Sequence, residues 1–201
     1  MSSEAERVAD CLARDLRAGV FSPGSWLKQI ELQKRYETGR APVRKALEAM
    51  AGRRLIRYEK NRGYFVHPAD DEDTLRILDL RIVLETGFAR AICDGATSDR
   101  LLRLEDLART FASLAATGSY DRLYEANLAF HRALLACAGN KHLIALVDEL
   151  RLRTSPAPAS QWRSGRARIA RSADEHEMML AAVRDHDATT LAQLMHLHIL
   201  Q

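Results

Sequence analysis

Helix breakers are scarce in this chain: 5 prolines and 10 glycines interrupt 201 residues. Ala, Leu and Arg dominate the remainder, so helix is the default expectation. Cysteine is nearly missing too. Cys11, Cys93 and Cys137 are scattered and odd in number, which spells neither a disulfide framework nor a thiolate metal motif and suits a reducing cytoplasm. Long apolar runs are absent, none approaching the roughly eighteen residues of a membrane span. The opening "MSSEAERVADCLARDL" is amphipathic and carries acids, without the apolar centre of a secretory signal. What is present, 47% hydrophobic and 28% charged, is the balance of a soluble globular protein with room for one large domain or two small ones.

The net charge of +3 conceals an asymmetry. Residues 1–67 hold 14 Lys and Arg against 8 Asp and Glu, a balance of +6, whereas residues 68–201 hold 16 against 19, a balance of −3. A basic first third points to a polyanionic partner there.

Apolar spacing predicts a first helix over about residues 3–18, with Val8, Cys11, Leu12 and Leu16 as the apolar members of its stripe, Asp15 at the same spacing, and Gly19 ending it. After the Pro-Gly turn of "FSPGSWL", Trp26 and Leu27 resume apolar packing. Residues 28–36 are expected as a short helix with Ile30 and Leu32 inward. A third helix over "RAPVRKALEAMAGRRL" (40–55) carries Val43, Ala46, Leu47 and Met50 on one face. Pro42 falls near its start, where a missing N–H costs nothing. Two short strands follow around a turn at Lys60–Gly63, Ile56 and Tyr58 before it and Tyr64, Phe65 and Val66 after it. Three helices and a two-stranded ribbon make a winged helix-turn-helix.

"HPADDED" (67–73) reads as linker and helix start, and from Thr74 onward no strand signal occurs. Helices are expected at about 72–94, 98–116, 119–138, 140–154, 163–185 and 187–200, separated by Gly95, Gly118, Gly139-Asn140, "SPAPAS" and His186-Asp187. The fold class is therefore mainly α. A winged helix-turn-helix spans residues 1–67, a linker 68–73, and an all-helical bundle of about six helices 74–201. The chain ends three residues after His198, earlier than expected if a further turn closes the bundle.

On the third helix Arg40 and Arg44 lie four apart, opposite Val43 and Leu47. An exposed helix presenting guanidinium forks at its N-terminal end can contact guanine edges in a major groove or clamp a phosphate. Arg35, Lys45, Lys60 and Arg62 would add contacts to the DNA backbone, Arg62 from the wing tip. The alternative is a solvated charged face whose arginines serve solubility.

The stretch "AGVFSPGSWLKQIELQKRYETGRAPVRKALEAMAGRRLIRYEKNRGYFV" resembles the DNA-binding domain of GntR-family transcription regulators. The resemblance covers about residues 3–67. It implies that Arg40 and Arg44 are the recognition-helix arginines, that Arg35 contacts the backbone, and that Arg62-Gly63 form the wing tip. Two positions depart from the family pattern. Gly39 stands where Ser usually caps the helix, weaker by a few tenths of a kcal/mol, and Lys45 replaces a usual Glu.

The remainder, about 74–200, is similar to the FCD effector-binding domain of the FadR subfamily, in its smaller VanR-like version. The segments carrying this are "LDLRIVLETGFARAI", "ANLAFHRALLACAGNKHL" and "DEHEMMLAAVRDHDATTLAQLMHLHI". Members of that domain often hold a divalent metal with an Asp or Asn and three histidines, and the matching positions are Asn127, His131, His176 and His198. The residues argue part of this themselves. Asn127 and His131 share a helix face, and His176 and His198 open and close the last helical pair. Such donors suit Zn²⁺, Ni²⁺ or Mn²⁺, and a neutral Asn leaves the site more cationic, favouring an anionic effector. The alternative for His131 and His176 is a hydrogen-bonded place in the core. His67, His142, His186 and His196 are assigned to surface or turn. Arg81 is a candidate for an effector carboxylate, or else half of a surface i,i+4 pair with Glu85.

These readings converge on a cytoplasmic, homodimeric regulator that binds a double-stranded operator and answers to a small organic acid. The competing class is a metal-dependent enzyme built on the Asn/His cluster. Glu175 and Glu177, which flank His176, are expected to point to other faces, leaving no general base there.

Overall fold

The computed structural model describes residues 3–17, 20–68, 72–154 and 166–200. Gly19, residues 69–71 of the expected linker, "SPAPAS" and the expected helical residues 163–165 lie outside those described. The chain divides into two compact units. One holds three helices and both strands together with the end of a later helix from Leu152; the other holds the bulk of the helices from Leu75 onward.

In the first unit, α1 (Glu4–Arg17), α2 (Gln29–Arg35) and α3 (Arg40–Gly52) precede β1 (Arg57–Glu59) and β2 (Gly63–Phe65). The core forms where the spacing predicts. Val8, Leu12 and Leu16 of α1 pack with Leu32 of α2 and Val43, Ala46, Leu47 and Met50 of α3. Asp15, at the apolar spacing yet polar, accepts from Arg35 Nε at 2.5 Å and from the Tyr36 hydroxyl at 2.8 Å, tying α1 to the end of α2. Ile30 departs from expectation: it is 64% exposed. It stands two residues from buried Leu32, and on a helix such neighbours point about 200° apart, so only one can face inward.

Gly39 caps α3 with extended backbone and no side-chain bond, as expected of that position. The strands pair antiparallel, Arg57 with Phe65, Tyr58 with Tyr64 and Glu59 with Gly63. Trp26 bridges to Phe65, and the amides of Leu27 and Val66 bond to Tyr64 and Ser25 carbonyls at 2.8 and 2.9 Å. The Pro-Gly turn thus feeds an extra edge segment to the wing. Leu27 enters the core, whereas Trp26 stays 52% exposed, its ring stacked on Phe65.

The remaining helices are α4 (Glu72–Gly87), α5 (Ala89–Asp94), α6 (Ser98–Thr117), α7 (Tyr120–Ala136), α8 (Lys141–Thr154), α9 (Arg166–Arg184) and α10 (Ala188–Ile199), and apart from the start of α4 before Leu75 and the end of α8 from Leu152 they make up the second unit. The expected 72–94 helix is two: Phe88 leaves helical geometry (φ −97°, ψ 4°) directly after Gly87, and α5 turns Ala89, Ile92 and Cys93 into the core. Helix starts follow local chemistry. Thr97 accepts from the Arg100 amide ahead of α6 at 3.4 Å, and Asp187 accepts from the Thr190 amide ahead of α10 at 2.9 Å. Helices α6 and α9 pack on one another and on α7 and α10 respectively, around Leu104, Phe130, Leu134, Met179, Val183, Leu191 and Met195. Among the described residues no helix is long and apolar enough to cross a membrane.

Candidate functional site

Helix α7 carries His131 on the face that buries Phe130 and Leu134, α9 carries His176 beside Met179 and Leu180, and α10 carries His198 in its last turn. The three rings meet. Their centroids lie 4.8 Å (131–198), 5.1 Å (131–176) and 5.3 Å (176–198) apart, and one ligand nitrogen of each falls within 4.8 Å of the others. His131 Nε2 stands 3.0 Å from His198 Nε2. Two nitrogens each about 2.1 Å from one ion, at right angles, would stand about that far apart.

Buried polar atoms normally have partners, and here several do not. His176 is fully buried and neither ring nitrogen has a hydrogen-bond partner. It is held instead by aromatic packing, stacked on Phe130 at 4.1 Å and tilted against Phe111 at 4.7 Å. Asn127 sits one turn before His131 on α7, and its Oδ1 is likewise buried without a partner. The core-histidine alternative therefore describes His131, which bonds to His198, but not His176. Two orphaned nitrogens and an orphaned carbonyl beside a histidine pair fit a divalent cation of the N/O-preferring class.

Burial keeps His131 far below the ordinary imidazole range, helped by the positive charge of Arg151, by His198 and His176, and by Arg81. Burial does the same to His176, with His198 and Arg151 adding to it. Both rings are neutral, the form that binds metal. The arginines belong to a second constellation. Glu85 accepts from Arg81 Nε at 3.0 Å and from Arg151 Nη2 at 2.7 Å. Burial pushes the Glu85 carboxyl up, but Arg151 and Arg81 outweigh it and hold it below its ordinary value. Arg81, desolvated by burial and repelled by Arg151, is pushed down to about 10 and stays charged at neutral pH. The expected Arg81–Glu85 pair thus exists, but it is buried rather than on the surface, and Arg151 makes it a triad.

Glu175 corrects another expectation. Instead of pointing away, its Oε2 accepts from His198 Nδ1 at 2.6 Å. Glu177 is exposed, and so are His142, His186 and His196. Arg151 and Glu175 are the two charged neighbours that local spacing did not single out.

The residues expected to face DNA lie in the first unit. Arg40, Arg44 and Lys45 are exposed on α3, opposite its buried face. The first turn of α3 contains no acid, so its positive end is not neutralised locally. Arg44 lies 3.8 Å from Glu48. On the wing, Lys60 and Arg62 are exposed; Arg62 pairs with Glu59 and lies over Phe65 at 5.3 Å. Gly63 has φ +103°, and a Cβ there would meet Trp26 Nε1 at 3.0 Å. Arg35 is pinned to Asp15.

Comparison with known proteins places these units in context. The family described as the FCD domain matches residues 76–201, and that described as bacterial regulatory proteins, gntR family, matches residues 4–66. The HTH-type transcriptional regulator LutR of Bacillus subtilis is 27% identical over 188 residues, covering 84% of this chain and 85% of that protein. The HTH-type transcriptional repressor GlaR of Escherichia coli is 28% identical over 196 residues, covering 94% and 89%. Among solved structures, E. coli McbR/YncC superposes with a TM-score of 0.82 at 19% identity, over 100% of this chain and 95% of the other, a likeness of fold.

Proposed function

The chain belongs to the GntR family of bacterial regulatory proteins and carries an FCD domain; it is a DNA-binding transcription regulator rather than an enzyme, and from that premise we propose that it is a repressor whose hold on its operator is set by an anionic metabolite bound at the histidine cluster. Residues 1–67 form the DNA-binding domain in this reading, 68–73 the linker and 74–201 the effector domain. Two copies act together in the cytoplasm on a (pseudo)palindromic operator, one winged head per half-site. GlaR, similar over most of both chains, is a repressor by name.

On the DNA, Arg40 and Arg44 are assigned to the major groove. Lys45, Arg35, Lys60 and Arg62 are assigned to backbone phosphates, and Gly63 to the wing tip. In the helical domain, Asn127, His131, His176 and His198 would hold the metal, with Zn²⁺, Ni²⁺ or Mn²⁺ compatible with their donors. A bound ion would supply a Lewis-acidic centre with positions open to ligand oxygens. The chain's own residues do the rest. The four donors bring no negative charge of their own to the ion, and Arg151 and Arg81 add a positive field at His131. An organic acid answers both features. Arg81 is assigned to its carboxylate.

The observation that carries this reading is the pair of orphaned His176 nitrogens within the three-histidine cluster. Two measurements test it on the full chain. Metal analysis after gentle purification should find a bound transition metal in the wild type and little in His131→Ala; a metal-free wild type that also fails to take up added Zn²⁺ would remove the metal. Binding to a duplex selected from a random pool should weaken steeply with salt. Arg44→Ala should lower that affinity by about 1–3 kcal/mol, and unchanged affinity with an unchanged salt slope would sink the groove assignment.

A further inference from the structure

Within the cluster the three histidines are not equivalent. His176 is oriented by aromatic rings and has no hydrogen-bond partner. His131 meets only the imidazole edge of His198 by hydrogen bond among the described residues. Among the described residues His198 alone is held by a carboxylate, Glu175 Oε2, at 2.6 Å from Nδ1. A carboxylate accepts and does not donate when ionised, so this contact keeps a proton on Nδ1 and turns Nε2 toward the cluster. That is the nitrogen which lies 3.0 Å from His131 Nε2. Both His198 and Glu175 are largely withdrawn from solvent, with side chains 12% exposed, where a charge-assisted bond of this length is strong.

A second observation concerns charge. The direct donors, three imidazoles and the Asn127 carbonyl, bring no negative charge. Glu85 is committed to two guanidiniums, at 3.0 and 2.7 Å. Among the described residues, the carboxylate hydrogen-bonded to a member of the cluster is Glu175. Carboxylate–histidine–metal relays of this kind fix a ligand's tautomer and raise its basicity.

We propose that Glu175 is the positioning residue of the histidine cluster: through His198 it fixes the metal-facing nitrogen and supplies the negative charge that Asn127 does not. The proposal rests on the metal reading of the cluster, and the experiment separates the two. Chelator-treated full-length wild type, Glu175→Gln, Glu175→Ala and the double variant Glu175→Gln/Asn127→Asp are titrated with Zn²⁺ against a chromophoric competitor. Thermal melts of the metal-free proteins serve as the check on folding. Glu175→Gln keeps an acceptor but loses the charge, and should weaken zinc binding about 10- to 100-fold. Glu175→Ala loses both and should weaken it more. Asn127→Asp should restore part of the loss, which a merely structural role for Glu175 would not allow. Long-range ¹H–¹⁵N spectra of the zinc-loaded wild type should place the remaining His198 proton on Nδ1. Wild-type zinc binding with affinities for Glu175→Gln and Glu175→Ala within about threefold of it overturns the proposal and leaves the metal reading standing, as does a His198 proton found on Nε2. A wild type that binds no zinc overturns both.

Discussion

Glu85 is 1% exposed and accepts from the guanidiniums of both Arg81 and Arg151, so one buried carboxylate serves two cations in the helical core. Glu85→Gln keeps the shape and removes the negative charge that both guanidiniums contact. A broken buried network of this type costs about 3–5 kcal/mol, and urea unfolding at pH 7 should read a loss in that range. The pH dependence has a defined sign. The folded-state carboxyl is held below its ordinary value, so its contribution is fully present above the unfolded pKa of about 4.3 and is lost as pH falls through the lower folded value. The stability gap between wild type and variant should therefore hold steady from about pH 8 to pH 5 and narrow below that. A gap that persists unchanged into acid would mean the charge is not its source. The sequence makes two of this triad's three members legible, because Arg81 and Glu85 are four apart on a helix. Arg151 is not legible, because it comes from 66 residues downstream and no local spacing encodes a long-range partner. Glu175 fails to be legible for a related reason. Its own helix turns it about 100° from His176, and only the ring of His198, delivered by α10, brings it to the cluster.

Elements were readable wherever a stripe was long enough to fix a face. The 14 residues of α1 and 13 of α3 place their apolar positions as expected, whereas the 7 of α2 leave the choice between Ile30 and Leu32 to tertiary packing. The break at Phe88 was hidden because an isolated glycine such as Gly87 is tolerated inside a helical pattern, and only the burial of Ala89, Ile92 and Cys93 on α5 demands the change of direction. Gly95, read as a helix terminator, has a second reason that sequence does not disclose. The end of α5 meets the end of α7 so closely that a Cβ on Gly95 would stand 1.9 Å from the Cys137 carbonyl oxygen. Arg100 Nη1 closes the junction, donating to the Gly95 and Cys137 carbonyls at 2.7 and 3.2 Å. Gly95→Ala sets side chain against backbone, with no flexible group to yield, and should cost about 3–5 kcal/mol. Gly87→Ala, where nothing lies within 4 Å, is the control and should stay within about 1 kcal/mol of wild type. Equal melting behaviour of the two variants would show that the junction has slack.

At the scale of the whole molecule, regulation requires that occupancy of the histidine cluster and occupancy of DNA share a free energy. Such couplings are typically about 1–3 kcal/mol, or roughly 5- to 150-fold in affinity. Linkage then imposes a constraint that does not depend on how the two units are arranged. If Zn²⁺ shifts the affinity for a selected duplex by some factor, the duplex must shift the affinity for Zn²⁺ by the same factor and in the same direction. The measurement is a closed cycle on the full chain: duplex titrations with and without saturating Zn²⁺, and Zn²⁺ titrations with and without saturating duplex. His131→Ala should flatten both arms, because it removes one of the three converging imidazoles. Arg44→Ala should weaken duplex binding while leaving zinc binding to the free protein unchanged, since the exposed face of α3 and the cluster share no residue. Zinc that binds in the helical unit yet leaves duplex affinity within twofold would place the regulatory step in the organic anion rather than in the ion. The same cycle repeated with candidate carboxylates at constant Zn²⁺ then becomes a direct search for the effector, recognised as the anion whose presence moves both arms equally.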